Sequence, residues 1–263
     1  MDKVQSYYNN NYDENSRMQR YPLEFMRSKE IISRYFTKAS MDIADIGGAT
    51  GPYSFWLASL GHNAHLLDFT PLHIEQAKEY GQKHGISLAS YHCGDARQLP
   101  YDDNSFDMVL LMGPLYHLQD QADRLQCLAE ARRVLKPGGA LLCTAISRYA
   151  AMLDGFGRVL IDDERFFGIM DEGLATGRHL PGDTPYFTQA YFHIPSELAD
   201  EVAQAGFDDV DLIAIEGFAR AVNADELLKN EKHTKALLEY IRKTERVPEM
   251  MGVSDHFFAV SRK

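Results

Sequence analysis

Four short stretches of this 263-residue sequence carry the residue types and spacing of a ligand-binding set. The first is Asp45-Ile46-Gly47-Gly48-Ala49-Thr50-Gly51. Glycine takes positive φ and has no Cβ, so Gly47, Gly48 and Gly51 let a ligand come close to the backbone. The N–H groups left over at the start of a following helix suit polar ligand groups. The second stretch is Asp68-Phe69, about 20 residues on, where an acid is placed to accept from ribose hydroxyls. The third is Gly94-Asp95-Ala96-Arg97, and the fourth is Met112-Gly113-Pro114-Leu115-Tyr116-His117. An unperturbed imidazole is largely neutral at pH 7 and can take a proton, which makes His117 the first candidate for a general base. Tyr116 beside it is placed to orient a substrate. His193, within the aromatic group Tyr186, Phe187, Tyr191 and Phe192, is a second base candidate.

The elements that must hold these groups are legible as an alternation. Met41 to Ile46 is short and apolar, as a buried parallel strand is, and Pro52 to Leu60 reads as the helix after the turn. Ala64 to Phe69 is the second strand. Thr70 and Pro71 open a helix that runs toward His84-Gly85, with His73 and His84 expected to face solvent. Ser87 to Cys93 is the third strand. Phe106 to Met112 is the fourth and the most continuously apolar, so the Gly113 cluster falls at the carboxyl end of a central strand, where open α/β sheets place their ligands. Asp120 caps a helix with Leu125, Leu128, Ala131 and Leu135 on one side. Lys136-Pro137-Gly138-Gly139 ends it, and Ala140 to Ile146 is the fifth strand. The alternation then stops for about 46 residues, far beyond the usual connection. That insertion, 148–194, has helix-like pieces over Ala151 to Asp163 and Glu164 to Leu174 and reads as a lid or substrate-binding segment. A helix over Pro195 to Ala205, a strand over Asp209 to Ile215, a helical insertion at 223–245 and a closing strand from His256 to Ser261 complete the chain.

A dinucleotide fingerprint beginning at Gly47 requires Gly or Ala where Pro52 stands, so that pattern fails. Asp45 ahead of the turn points instead to D-x-G-x-G-x-G. Over about Asp42 to Ser147 the chain resembles the class I S-adenosylmethionine-dependent methyltransferases of small-molecule type, with Ala49 in place of the middle glycine. The order of helix, L-K-P-G-G turn and strand belongs to the same resemblance. It implies an α/β, Rossmann-like doubly wound fold with a mixed seven-stranded sheet, its last strand antiparallel, and a helical insertion after strand five. It also implies S-adenosylmethionine as cofactor. By that resemblance Asp45 and the Gly47–Gly51 turn hold the amino-acid portion, and Asp68 holds the ribose. Phe69 packs on adenine, Asp95 and Ala96 read its edge, and Met112 and Gly113 border the sulfonium. The leading segment of a core that would run 37–147 is expected to form a cap over 1–36, with Tyr8, Tyr12 and Arg20 facing the acceptor, as Tyr186 and Tyr191 do from the insertion. Methyl transfer is an in-line displacement in which the cofactor carries the reactive bond and the protein positions it, so few catalytic side chains are needed.

Composition narrows the acceptor. The formal net charge is −11, and no run of Lys and Arg supplies the basic face a nucleic-acid enzyme needs, which favours a small molecule. Gly113-Pro114-Leu115-Tyr116 also differs from the N/D-P-P-Y/F of enzymes that methylate amide or nucleobase amino groups. Cys93, Cys127 and Cys143 fit neither a zinc site nor a disulfide framework, and no metal is expected. No apolar run reaches the roughly 18 residues of a membrane span, and Met1 to Ser6 lacks a signal-like stretch, so a cytoplasmic chain without membrane contact is expected. Three other readings stay open: a non-catalytic S-adenosylmethionine-binding protein, an RNA methyltransferase and a nicotinamide oxidoreductase. The oligomeric state is not legible.

Overall fold

A mixed sheet of seven strands runs through the molecule, and every group of interest is placed by one edge of it. The computed structural model describes residues 21–263 apart from Asp183 and Pro185. The expected sites at Tyr8, Tyr12 and Arg20 therefore lie outside the described residues.

After helix α1 (Pro22–Ser33) come β1 (Asp42–Ile46), α2 (Pro52–Ser59), β2 (Asn63–Asp68), α3 (Pro71–His84) and β3 (Ser90–Cys93). Then follow β4 (Phe106–Leu111), the one-turn α4 (Pro114–His117), α5 (Gln121–Val134) and β5 (Leu135–Ile146). The insertion holds α6 (Ala150–Gly157), a 3₁₀ turn at Leu160–Asp162, α7 (Glu164–Thr176) and a two-stranded ribbon of β6 (Arg178–His179) and β7 (Ala190–Tyr191). The remainder is α8 (Pro195–Gln204), β8 (Asp208–Ala214), a 3₁₀ turn at Gly217–Ala221, α9 (Ala224–Leu228), α10 (Glu231–Thr244), α11 (Pro248–Met251) and β9 (His256–Arg262).

The strand order is β3-β2-β1-β4-β5-β9-β8. Strands β1 to β5 are mutually parallel, and β9 runs antiparallel to both β5 and β8, as the family resemblance implies. Alternation along each strand feeds two cores. Ala44, Val109, Leu141 and Cys143 pack on one face with α5 and α8. Ile43, Met108, Leu110 and Leu142 pack on the other with α1, α2 and α3. Burial on both faces explains the continuously apolar strands. Among the described residues, no helix is long and apolar enough to cross a membrane.

Several boundaries differ from the sequence reading. Strand β5 starts at Leu135, not Ala140, because Leu135 already pairs with Phe106 before a register shift at Met108. Gly138, at φ +77°, donates its N–H to the Lys263 carbonyl at 2.8 Å, so the Lys-Pro-Gly-Gly turn is a bulge inside the strand pair. The buried stripe of α5 is Arg124, Cys127, Leu128, Ala131 and Val134, with Leu125 only half-buried. The helix expected over Ala151 to Asp163 breaks at Val159, which sits at φ +56°. Asn223 caps α9, its Oδ1 accepting from the Glu226 N–H at 3.2 Å.

Candidate active site

The turn between β1 and α2 is built by backbone geometry. Gly47, at φ +73°, leaves no room for a side chain, since a Cβ there would meet Pro114 Cδ at 2.5 Å. A Cβ on Gly113 would lie 3.2 Å from the Gly47 carbonyl oxygen. The turns after β1 and β4 therefore pack backbone against backbone. Gly51, at φ +83°, is the N-cap of α2 and does not line the cavity. Ala49, in the place of the expected middle glycine, takes φ +51°. A left-handed non-glycine residue costs of order 1 kcal/mol. It is held there by its own N–H, which donates to Asp68 Oδ2 at 2.9 Å.

Around these turns lies an open cavity of ≈ 890 Å³, its mouth included. Gly47, Gly48, Ala49, Asp68, Phe69, Asp95, Ala96, Met112, Gly113, Tyr116 and His117 all line it. Eleven residues from four separate stretches of sequence thus converge at the carboxyl edge of β1, β2, β3 and β4. Pro52, Tyr53, Thr70, His73 and Leu118 line it as well and were not anticipated.

Asp45 is not in this lining. It is wholly buried beneath the turn, where Ser54 Oγ donates to its Oδ2 at 2.6 Å. A Cβ on Gly48 would strike that carboxylate at 2.6 Å. Burial pushes the Asp45 carboxyl up to about 6; the nearby Asp68 charge adds to this, and the Ser54 hydrogen bonds oppose it. Asp45 supports the turn from below rather than facing the ligand side.

Asp68 is held by three protein donors. Its Oδ1 accepts from the Thr70 N–H at 2.8 Å and from His73 Nδ1 at 2.9 Å. A carboxylate only accepts, so Nδ1 is the protonated ring nitrogen of His73. His73 is 4% exposed, which overturns the expectation that it faces solvent. The signal was present in the sequence: residues just after Thr70 form the first turn of a helix that starts at the ligand edge. His84, at the far end of α3, is exposed as expected.

Asp95 is gripped by its neighbour. Arg97 reaches it through Nε at 3.0 Å, Nη2 at 2.6 Å and its backbone N–H at 2.9 Å. These bonds hold the Asp95 carboxyl below its usual range against the effect of burial.

No described residue of the insertion lines the cavity. The Phe187 ring lies 6.0 Å from His117, while Tyr186 and Tyr191 are absent from the lining. The Tyr186 hydroxyl donates to Asp163 at 2.9 Å, and the Tyr191 ring lies under the Arg124 guanidinium at 3.7 Å. His193 is also elsewhere. It is fully buried, with Nε2 3.3 Å from Glu201, which in turn pairs with Arg124 at 2.7 Å. A histidine enclosed this way has no access to a substrate, so its candidacy as a base is withdrawn. Glu24, Glu216 and His256 bring one potential metal-ligating atom each within 4.8 Å of one another. The Glu216 oxygens already accept from Ser254 Oγ and from His256 Nδ1 and N–H, so the group reads as a carboxylate–histidine pair.

The residues fit S-adenosylmethionine. Backbone of the Gly47–Ala49 turn and of Gly113 borders the cavity closely, and among the described residues Asp68 Oδ2 accepts one hydrogen bond, from the Ala49 N–H, which leaves it a second acceptor position. Residues 44–143 match the family model described as "Methyltransferase domain". The chain is 25% identical over 228 residues to a demethylmenaquinone methyltransferase of Listeria welshimeri, covering 81% of this chain and 89% of that one. It is 30% identical over 169 residues to a ubiquinone biosynthesis O-methyltransferase of Cereibacter sphaeroides, covering 64% of this chain and only 61% of the relative. A SAM-dependent methyltransferase structure from Methanosarcina mazei superposes with a TM-score of 0.60 at 21% identity, covering 89% of this chain and 96% of that one. With that sheet order, that cavity and these likenesses, the chain carries a methyltransferase domain and has the fold of the S-adenosylmethionine-dependent methyltransferases.

Proposed function

We propose that this methyltransferase acts on a hydroxyl or ring carbon of a small, uncharged aromatic acceptor of the quinol or phenol type. The observation that carries this reading is the character of the cavity beside Tyr116 and His117. Among the described residues, no Lys or Arg lines it, and Phe187 of the insertion backs the His117 ring. The described lining offers no cation to a phosphate or carboxylate acceptor, whereas its aromatic rings, Tyr53, Phe69 and Tyr116, suit a planar apolar ring. The two relatives named above, a demethylmenaquinone methyltransferase and a ubiquinone biosynthesis O-methyltransferase, support the same class.

When bound, S-adenosylmethionine supplies the electrophilic methyl group. In this reading Asp68 accepts from a ribose hydroxyl, Phe69 packs on the adenine, and Ala96 and Asp95 meet its edge. Met112 and Gly113 border the sulfonium through the backbone. His117 takes the proton that an acceptor hydroxyl loses as its oxygen bonds to the methyl carbon, and Tyr116 orients the acceptor ring. The insertion 148–194 supports the acceptor side through Phe187, which packs near the His117 ring.

The test is a screen of quinols, catechols and simple phenols that reads out S-adenosylhomocysteine. Turnover with a hydroxylated aromatic is expected, with His117→Asn lowering kcat by roughly 10²–10⁴ while cofactor affinity holds. Formation of product only with phosphorylated or carboxylated acceptors, or full turnover by His117→Asn, would overturn the reading.

A further inference from the structure

The carboxylate of Asp68 has a torsion that is intrinsically loose, since the outer bond of an Asp side chain rotates over a broad, two-fold well. In this chain that freedom is removed from one side. Both acceptor positions of Oδ1 are filled, by the Thr70 N–H at 2.8 Å and by His73 Nδ1 at 2.9 Å. One position of Oδ2 is filled by the Ala49 N–H at 2.9 Å. Three of the four positions a carboxylate offers are therefore occupied by protein. The backbone donors come with the turns, whereas the imidazole is a choice of side chain. His73 stands on the first turn of α3, is 4% exposed, and lines the same cavity as the acid it holds.

We propose that His73 is a positioning residue for the cofactor's ribose, fixing the Asp68 carboxylate so that its one open Oδ2 position is presented to a ribose hydroxyl. Without the imidazole, Oδ1 keeps only the Thr70 N–H and gains an open acceptor position of its own, so the carboxylate is held by one bond fewer and a ribose hydroxyl has two oxygens to choose between. The bond to a carboxylate is of the stronger, charge-assisted kind, so its loss is felt in affinity. The inference rests on Asp68 being the ribose acceptor, and the two are separable by experiment.

The test is calorimetric titration of S-adenosylhomocysteine into the full-length chain and into His73→Met, His73→Asn, Asp68→Ala and the double variant Asp68→Ala/His73→Met. The melting temperature of each is taken in parallel. Asn places a side-chain N–H near the position of Nδ1–H, whereas Met fills space without donating. His73→Met is expected to weaken binding roughly tenfold, the scale of a lost hydrogen bond to a charged group. His73→Asn should stay within about threefold of the parent, because a donor is retained. In the double variant the His73 penalty should vanish, because its target is gone. Unchanged affinity in His73→Met overturns the proposal. So does an equal loss in Met and Asn with a lowered melting temperature, which marks a packing role only, or full additivity in the double variant. If Asp68→Ala alone binds normally, the ribose assignment fails first and takes the proposal with it.

Discussion

Ser54 Oγ donates to Asp45 Oδ2 at 2.6 Å, tying the end of β1 to the first turn of α2 across the glycine loop. The other Asp45 oxygen has no hydrogen-bond partner among the described residues. This is a carboxylate that the fold buries at a cost, which gives a pH signature. Its value is raised from 3.8 to about 6, so the folded protein binds its proton more tightly than the unfolded chain does. The stabilisation is fully present below about 3.8 and is lost as pH rises toward 6. About two units correspond to on the order of 3 kcal/mol. Urea titrations of parent and Asp45→Asn between pH 4 and 7 should therefore converge or cross, the parent losing ground as pH rises. Parallel curves would remove Asp45 as the cause.

Ala49 offers a gentler test of the same loop. Glycine at φ +51° escapes the left-handed penalty but adds unfolded-state entropy, terms of about 1 kcal/mol each. Ala49→Gly is expected to change stability by less than about 1 kcal/mol and to leave affinity for S-adenosylhomocysteine intact, since the N–H to Asp68 remains. A large loss of affinity would show that the methyl group itself shapes the cavity.

Asp68→Ala should do far more. It removes the acceptor for three protein donors as well as the proposed ribose contact. A fall in affinity of roughly 10- to 100-fold is expected by calorimetry, with a lowered melting temperature.

Arg124→Met should destabilise the fold strongly. It leaves Glu201 buried against His193 without its cation, a change worth about 3–5 kcal/mol by urea titration. Acid should have a related effect in the parent. Burial raises Glu201, but His193 and Arg124 outweigh it and hold it below its ordinary value of 4.5. Burial lowers His193 from 6.5 despite Glu201. Both groups bind protons more readily when unfolded, so their support of the fold is lost as pH falls through these windows.

The sheet and most of the cavity were legible because a buried parallel strand and a glycine turn are local signals. Asp68, Asp95 and Gly113 could be placed by counting strands. What escaped were properties set by partners distant in sequence. Asp45, although its donor Ser54 is near in sequence, went under the turn because the turn folds α2 back over the end of β1. His193 vanished into the interior because Arg124 and Glu201, 77 residues apart, enclose it. Tyr186 and Tyr191 found Asp163 and Arg124 instead of the cavity, and nothing in an aromatic run announces which neighbour it will meet. His73 was misread because spacing alone does not separate the ligand-edge turn of a helix from its solvent side.

The placing of β9 between β5 and β8 has a bearing on how the chain is made. Strand β8 touches no other strand of the sheet, so it waits without a neighbour until residues 256–262 have been synthesised. The described residues that line the cavity lie between Gly47 and Leu118 and leave the ribosome well before that. The pocket half is thus available to the nascent polypeptide early, while the far side of the sheet is sewn together only when β9 arrives.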